Sequence, residues 1–303
     1  MKKIKTIYIG LLGGLGDLVL ASPVLAALKK KYPGSHLCLG IGKESYYDIM
    51  KKDPHIDSFD DTLFYYPPTK NVRKLLVRKI ALLKRKFKYD LTVFMDNAEK
   101  KDLNKDNHII DNFTQLCEVT LDSRRPIIYL GEEDESAADT ILLNAGIAKE
   151  EPFITVAPEA RFAKISKEWP EEKYYDLFLR IQKKWGIKTI TFVPPSSQKK
   201  YSGTIVVQNA PTMQSIAAVI KRSLLYIGCD SGLTHVASAF DINMISIHSG
   251  YPLYICRPLS PKAVIVSSPP FLPAGKRKGP FIDPSPITVD QVFNAVYKLV
   301  PSS

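Results

Sequence analysis

Three stretches of the chain hold residue types that can do chemistry. In "GLLGGLGDLVLASPVL" (10–25), Gly13, Gly14 and Gly16 lead to Asp17, where a strand-like run gives way to a helix-like one. A carboxylate there has two uses. It can cap helix amides and complement the helix dipole, or it can take a proton from a hydroxyl held in the space the glycines leave. Residue type does not separate the two. In "LLYIGCDSGLTHVASAF" (224–240) a buried strand stops at Asp230, a turn follows at Ser231–Gly232, and a helix begins. Amides at such a start attract an anion, and Gly232 lets it approach the backbone. Ser231 and Thr234 add hydroxyls and His235 adds an imidazole, although Asp230 and Ser231 could equally be caps. Between these stretches, "APEARFAKISKEWPEEKYYDLFLRI" puts Arg161, Lys164 and Lys167 on a loop beyond a strand end. Cations so placed suit a diphosphate.

The familiar phosphate loops do not fit. A dinucleotide fingerprint started at Gly14 meets Val19 where its third glycine belongs, and no lysine between Lys5 and Lys29 can complete a P-loop. Cys38, Cys117, Cys229 and Cys256 are scattered without a C-x-x-C pair, and the five histidines form no H-x-x-x-H. Buried thiols in a reducing compartment are expected, with no protein-held metal and no cofactor.

These residues need elements to position them. At 303 residues, with 45% hydrophobic and 24% charged content, the chain is long enough for two globular domains. Strand and helix alternate in both halves, which implies an α/β fold of two doubly wound parallel sheets. The expected domains are 1–150 and 151–303, facing across a cleft that receives ligands beyond the carboxyl ends of the strands. The last helix, "TVDQVFNAVYKLV", is a candidate to pack back on the first domain. Residues 267–286, rich in proline, read as a wrapping loop.

The N-terminal "MKKIKTIYIGLLGGLGD" imitates a secretory signal, but glycines and Asp17 break its apolar run, and no run is long enough to span a membrane. A cytoplasmic location is expected. The net charge of +11 is uneven: Lys70 to Lys88 holds nine basic residues and no acidic one, interleaved with leucines. This segment reads as a basic amphipathic helix, either a solvated face over the core or a surface meeting anionic lipid on the inner membrane face. No nucleic-acid-binding motif accompanies it.

Taken in order, G-D-x-x-x-x-x-P (Gly16, Asp17, Pro23), K-x-W-P-x-E-x-Y (Lys167 to Tyr174) and D-S-G-x-x-H (Asp230 to His235) resemble glycosyltransferase family 9, the ADP-heptose:lipopolysaccharide heptosyltransferases and their relatives. The resemblance implies a GT-B architecture of two Rossmann-like domains, with the acceptor on the first and the nucleotide-sugar donor on the second. It implies inverting transfer without a metal. Asp17 matches the general base, Lys167 the lysine on the donor diphosphate, and Asp230, Ser231, Gly232 and His235 the donor turn, with Thr234 beside them. The chain departs from the family at two places. Gln198 stands where a glutamate often holds the nucleoside, and "NAEKKDL" replaces Q-G-x-x-R-S on the acceptor side, so base and acceptor can differ from the usual ones. A transferase or epimerase using a UDP-sugar, and a nucleotide-sugar-binding protein without catalysis, remain as alternatives.

Overall fold

The computed structural model describes residues 3–11, 13–41, 47–60, 80, 83–95, 107–160, 167–248, 253–268 and 285–301, without the side chain of Tyr47. Contacts divide the chain into two units, Met1–Tyr129 and Leu130–Ser303.

The first unit runs β1 (Thr6–Leu11), α1 (Leu15–Lys31), β2 (His36–Ile41), α2 (Tyr47–Met50), β3 (Ser58–Asp60), β4 (Leu91–Phe94) and α3 (Ile109–Cys117). Residues 83–88 add a helical segment before β4. The four strands pair in the order β3-β2-β1-β4, all parallel. β1 and β2 are buried over nearly their whole length, as apolar runs in a parallel sheet covered on both faces should be. The order turns at β1, with β2 on one side and β4 on the other. Asp17 lies just beyond the end of β1, at that turning point.

The helix α1 contains Pro23, which has no N–H to give to the carbonyl of Val19. The hydroxyl of Ser22 donates to that same carbonyl at 2.7 Å and accepts the amide of Ile127 at 2.8 Å. One buried hydroxyl therefore satisfies the acceptor that proline orphans and ties a distant loop to the helix.

The second unit runs α4 (Glu132–Asn144), β5 (Phe153–Ala157), α5 (Glu171–Trp185), β6 (Lys188–Phe192), β7 (Ile205–Val207), α6 (Met213–Arg222), β8 (Leu225–Cys229), α7 (Gly232–Ser238), β9 (Asn243–His248), α8 (Leu253–Cys256), β10 (Ala263–Ser267) and α9 (Val289–Leu299). Its six strands are ordered β10-β9-β8-β5-β6-β7, again all parallel. Counted within the unit, the first and fourth strands are neighbours at the centre. That is the dinucleotide-fold order, whose ligands bind outside the carboxyl ends of those two strands.

The two sheets and their winding agree with the expected α/β class. The contact boundary falls at 129/130 rather than 150/151, because α4 packs on α6. Glu135 of α4 accepts from Lys221 at 2.9 Å and from Arg222 at 2.6 Å, and Asp139 accepts from Arg222 at 2.5 Å. The last helix packs within the second unit, on α5, β9 and β10. Val292 and Val296 join a core with Trp169, Tyr174 and Phe178. The edge strand β10 is an addition to the elements read from sequence; its five residues are only half-buried and adjoin the proline-rich stretch.

Candidate functional site

Asp17 is the third residue of α1, and Gly14 is the N-cap. Its Oδ2 accepts the Gly14 amide at 2.7 Å, one half of a capping box, since glycine has no side chain to return the bond. The glycines serve that contact directly. A Cβ on Gly13 would lie 2.3 Å from Asp17 Oδ2, so only glycine leaves the carboxylate room to fold back. The structural use of Asp17, capping, is thus realised. Gly16 lies within the first turn of the same helix.

In the second unit, two motifs far apart in sequence meet. Lys167, on the segment after β5, donates to Asp230 Oδ2 at 2.7 Å, and Asp230 directly follows β8. β5 and β8 are the two central strands, so the ion pair stands at the point where the strand order reverses. Both partners are largely withdrawn from water, with side chains 19% and 6% exposed. Burial pushes the Asp230 pKa up, but His248, Lys167 and His235 outweigh it with positive charge, and the carboxyl ends below its ordinary value.

The residues around the pair divide into those that face the rim and those that hold it. Ser231 is the N-cap of α7 without a side-chain capping bond, and Gly232 opens the helix. Thr234 is turned inward: its hydroxyl donates to the Cys229 carbonyl at 2.5 Å and lies 3.0 Å from the Tyr226 hydroxyl. With 1% exposure it fixes the strand-to-helix turn rather than offering a hydroxyl to a ligand. Gly228 makes room for the same arrangement, since a Cβ there would lie 2.2 Å from the Tyr226 hydroxyl. The thiol of Cys229 is fully buried and pushed up to about 12, so it is a packing group. His235 is buried beside Asp230.

In the K-x-W-P motif only Lys167 serves the rim. Trp169 is fully buried, donates to the Ile287 carbonyl at 2.8 Å and packs edge-on against Tyr174. Glu168 accepts the Ala160 amide at 2.9 Å and Lys199 at 2.5 Å, joining the segment after β5 to the loop after β6. In that loop Gln198 is exposed. Its neighbour Ser197 donates to Glu159 at 2.5 Å, and Gln208 donates to the carbonyls of Pro195 and Ser197. Arg161 and Lys164 lie outside the described residues. Sequence reading passed over Glu159, Glu168 and His248, all on loops or strand ends at the carboxyl edge of the sheet. Their position after β5 or at the end of β9 was the available signal.

A family model of glycosyltransferase family 9 (heptosyltransferase) matches residues 77–279. The chain belongs to glycosyltransferase family 9. Solved structures of the same architecture agree with that membership. A family 9 glycosyl transferase from Veillonella parvula shares 20% identity and a TM-score of 0.74, covering 99% of this chain and 98% of its own. The E. coli ADP-heptose lps heptosyltransferase II shares 15% identity and a TM-score of 0.69, with 98% of each chain covered. The iron-containing dodecameric glycosyltransferase TibC of enterotoxigenic E. coli shares 15% identity and a TM-score of 0.66, with 99% of this chain and 77% of TibC covered. Among curated proteins no sequence matches this one.

In this family 9 chain the buried pair has a stability consequence. Lys167→Met removes the charge-assisted hydrogen bond to Asp230 and leaves His248 and His235 as its remaining positive neighbours, so a loss of about 1.5–3 kcal/mol is expected in urea unfolding at neutral pH. Adding Asp230→Asn to it should restore most of that loss. The pH direction follows from the lowered carboxyl. The stabilisation from Asp230 is present above its unfolded value of about 3.9 and is lost as pH falls through the lower folded value. Acid unfolding of the wild type should therefore steepen below about pH 4, and a Lys167→Met protein as stable as wild type would contradict the account.

Proposed function

We propose that this protein transfers a sugar, heptose from ADP-heptose, onto a lipopolysaccharide core or related glycan acceptor with inversion at the anomeric carbon. The observation that carries the reading is the meeting of Lys167 and Asp230 at the switch point of the second sheet. It places a cation where parallel sheets of this order bind the phosphates of a nucleotide. Family membership supplies the reaction class, and the E. coli heptosyltransferase II supplies the donor chemistry.

In this reading Asp230 holds Lys167 extended at the rim, and Lys167 with the amides at Ser231–Gly232 takes up the charge that develops on the leaving diphosphate. Asp17 receives the proton of the attacking acceptor hydroxyl. The capping bond to Gly14 fixes the carboxylate's direction, so cap and base are compatible uses of one side chain. In this reading the transfer proceeds without a metal, and Gln198, exposed on the loop after β6, meets the nucleoside.

Asparagine can still accept the Gly14 amide but is a poor base. Asp17→Asn should therefore keep the melting temperature and donor binding while transfer falls by roughly 10²–10⁴. Near-normal turnover would overturn the assignment.

A membrane-bound acceptor is supported by the helical segment 83–88. Its one buried side chain is a cation: Arg85 reaches Asp60 at 2.5 Å and stacks over Tyr8. Leu83 and Phe87, with Ile80 one turn earlier, are 52%, 84% and 46% exposed. Three residues at helical spacing thus form an apolar stripe turned outward, flanked by exposed Lys84, Lys86 and Lys88. The opposite arrangement, leucines on the core and lysines in water, is the one a solvated face would take. An apolar stripe with a basic flank suits an anionic lipid surface. Leu83→Ser with Phe87→Ser should abolish most co-sedimentation with phosphatidylglycerol vesicles and leave the melting temperature unchanged; undiminished co-sedimentation would contradict this part of the reading.

A further inference from the structure

The ends of β8 and β9 and the short helix α8 bring together a carboxylate, an imidazole and a thiol that the proposed transfer does not use as a set. Ligand atoms of Asp230, His248 and Cys256 all lie within 4.8 Å of one another. Asp230 and His248 are buried, and Cys256, at the end of α8, is half-buried. We propose that these three side chains bind one divalent metal ion of the zinc, iron(II) or cobalt(II) class, leaving a coordination position for water or a ligand oxygen.

The argument rests first on shape. A tetrahedral ion with bonds of about 2.0–2.3 Å holds its ligand atoms about 3.3–3.8 Å apart. A triangle whose sides are all at or under 4.8 Å reaches that with small side-chain adjustments. An activated thiol would need another arrangement: in a nucleophile–base–acid relay the histidine lies between the other two, and the carboxylate stands away from the sulfur. Here the carboxylate and the sulfur are themselves within 4.8 Å of each other. Ligand chemistry is the second support. One oxygen, one nitrogen and one sulfur suit borderline metals, whereas magnesium and calcium take oxygen sets.

Lys167 does not compete for the whole carboxylate. It engages Oδ2 of Asp230 at 2.7 Å, and a carboxylate has a second oxygen. A ligating carboxylate held by an outer hydrogen-bond donor is the ordinary condition of such a ligand. The histidines and cysteines carry no metal spacing in sequence because the three ligands come from three different elements at the carboxyl edge of the sheet. Metal binding here is independent of the donor reading, although both use the rim beside Asp230.

The test uses the full chain, stripped with a chelator and kept reduced without oxygen. Titration with Co²⁺ should give visible bands of a low-coordinate ion and a near-ultraviolet thiolate-to-cobalt band, saturating at one ion per chain, and Zn²⁺ should bleach both. Cys256→Ser should remove the thiolate band, His248→Ala should weaken binding at least about tenfold, and Cys38→Ser should change neither. Absence of any cobalt spectrum in the wild type, or a thiolate band that survives in Cys256→Ser, would overturn the proposal. Cys256→Ser decides the matter by itself where His248→Ala fails to fold. Neither donor nor acceptor is present in this experiment, so a failure of the transferase reading would not alter its outcome.

Discussion

A lysine and an aspartate withdrawn from water meet at the centre of the second unit's parallel sheet, and their pairing constrains what surrounds them. A buried carboxylate there needs positive charge beside it, because an uncompensated one costs several kcal/mol, and Lys167 supplies the direct contact. Lys167 and Asp230 must therefore stay together, and the segments carrying them must stay in register. Much of the surrounding structure serves that end. Trp169 and Tyr174 anchor the segment after β5 in the core, Thr234 and Tyr226 fix the turn after β8, and Glu168 ties the neighbouring loop. The arrangement holds a cation at the place where the sheet's topology opens a crevice.

The first unit meets a similar topological position with the opposite charge. Its strand order turns at β1, and the residue displayed beyond β1 is Asp17 on a glycine turn. The turn has no spare lysine and its carboxylate is folded back on the Gly14 amide, an arrangement hostile to phosphate. The two units, each built on the same winding rule, thus present opposite charges at corresponding positions.

The strands and most helices were legible because parallel sheets bury continuous apolar runs and helices keep their caps. Thr212 and Thr288 cap their helices with their own hydroxyls. The pairing of Lys167 with Asp230 was not legible from spacing alone, since 63 residues separate them and only strand order brings them together. Thr234 illustrates the converse. Its place in D-S-G-x-x-H suggests a ligand contact, yet the hydroxyl is used inside the turn. His248 was passed over and Cys256 was read as an isolated thiol, because local spacing rules see one element at a time. Residues 70–88 read as amphipathic from cations interleaved with leucines, but the outward turn of Ile80, Leu83 and Phe87 depends on Arg85 finding Asp60.

The central claim is that the Lys167–Asp230 rim binds the diphosphate of an adenine nucleotide. Calorimetric titration of ADP into the wild type and Lys167→Ala, side by side, tests it most directly. The account predicts saturable binding of ADP to the wild type and an affinity at least about tenfold lower in a folded Lys167→Ala protein, the loss of one charge-assisted contact. Equal affinity for the two proteins, or no binding of ADP to the wild type, would contradict it.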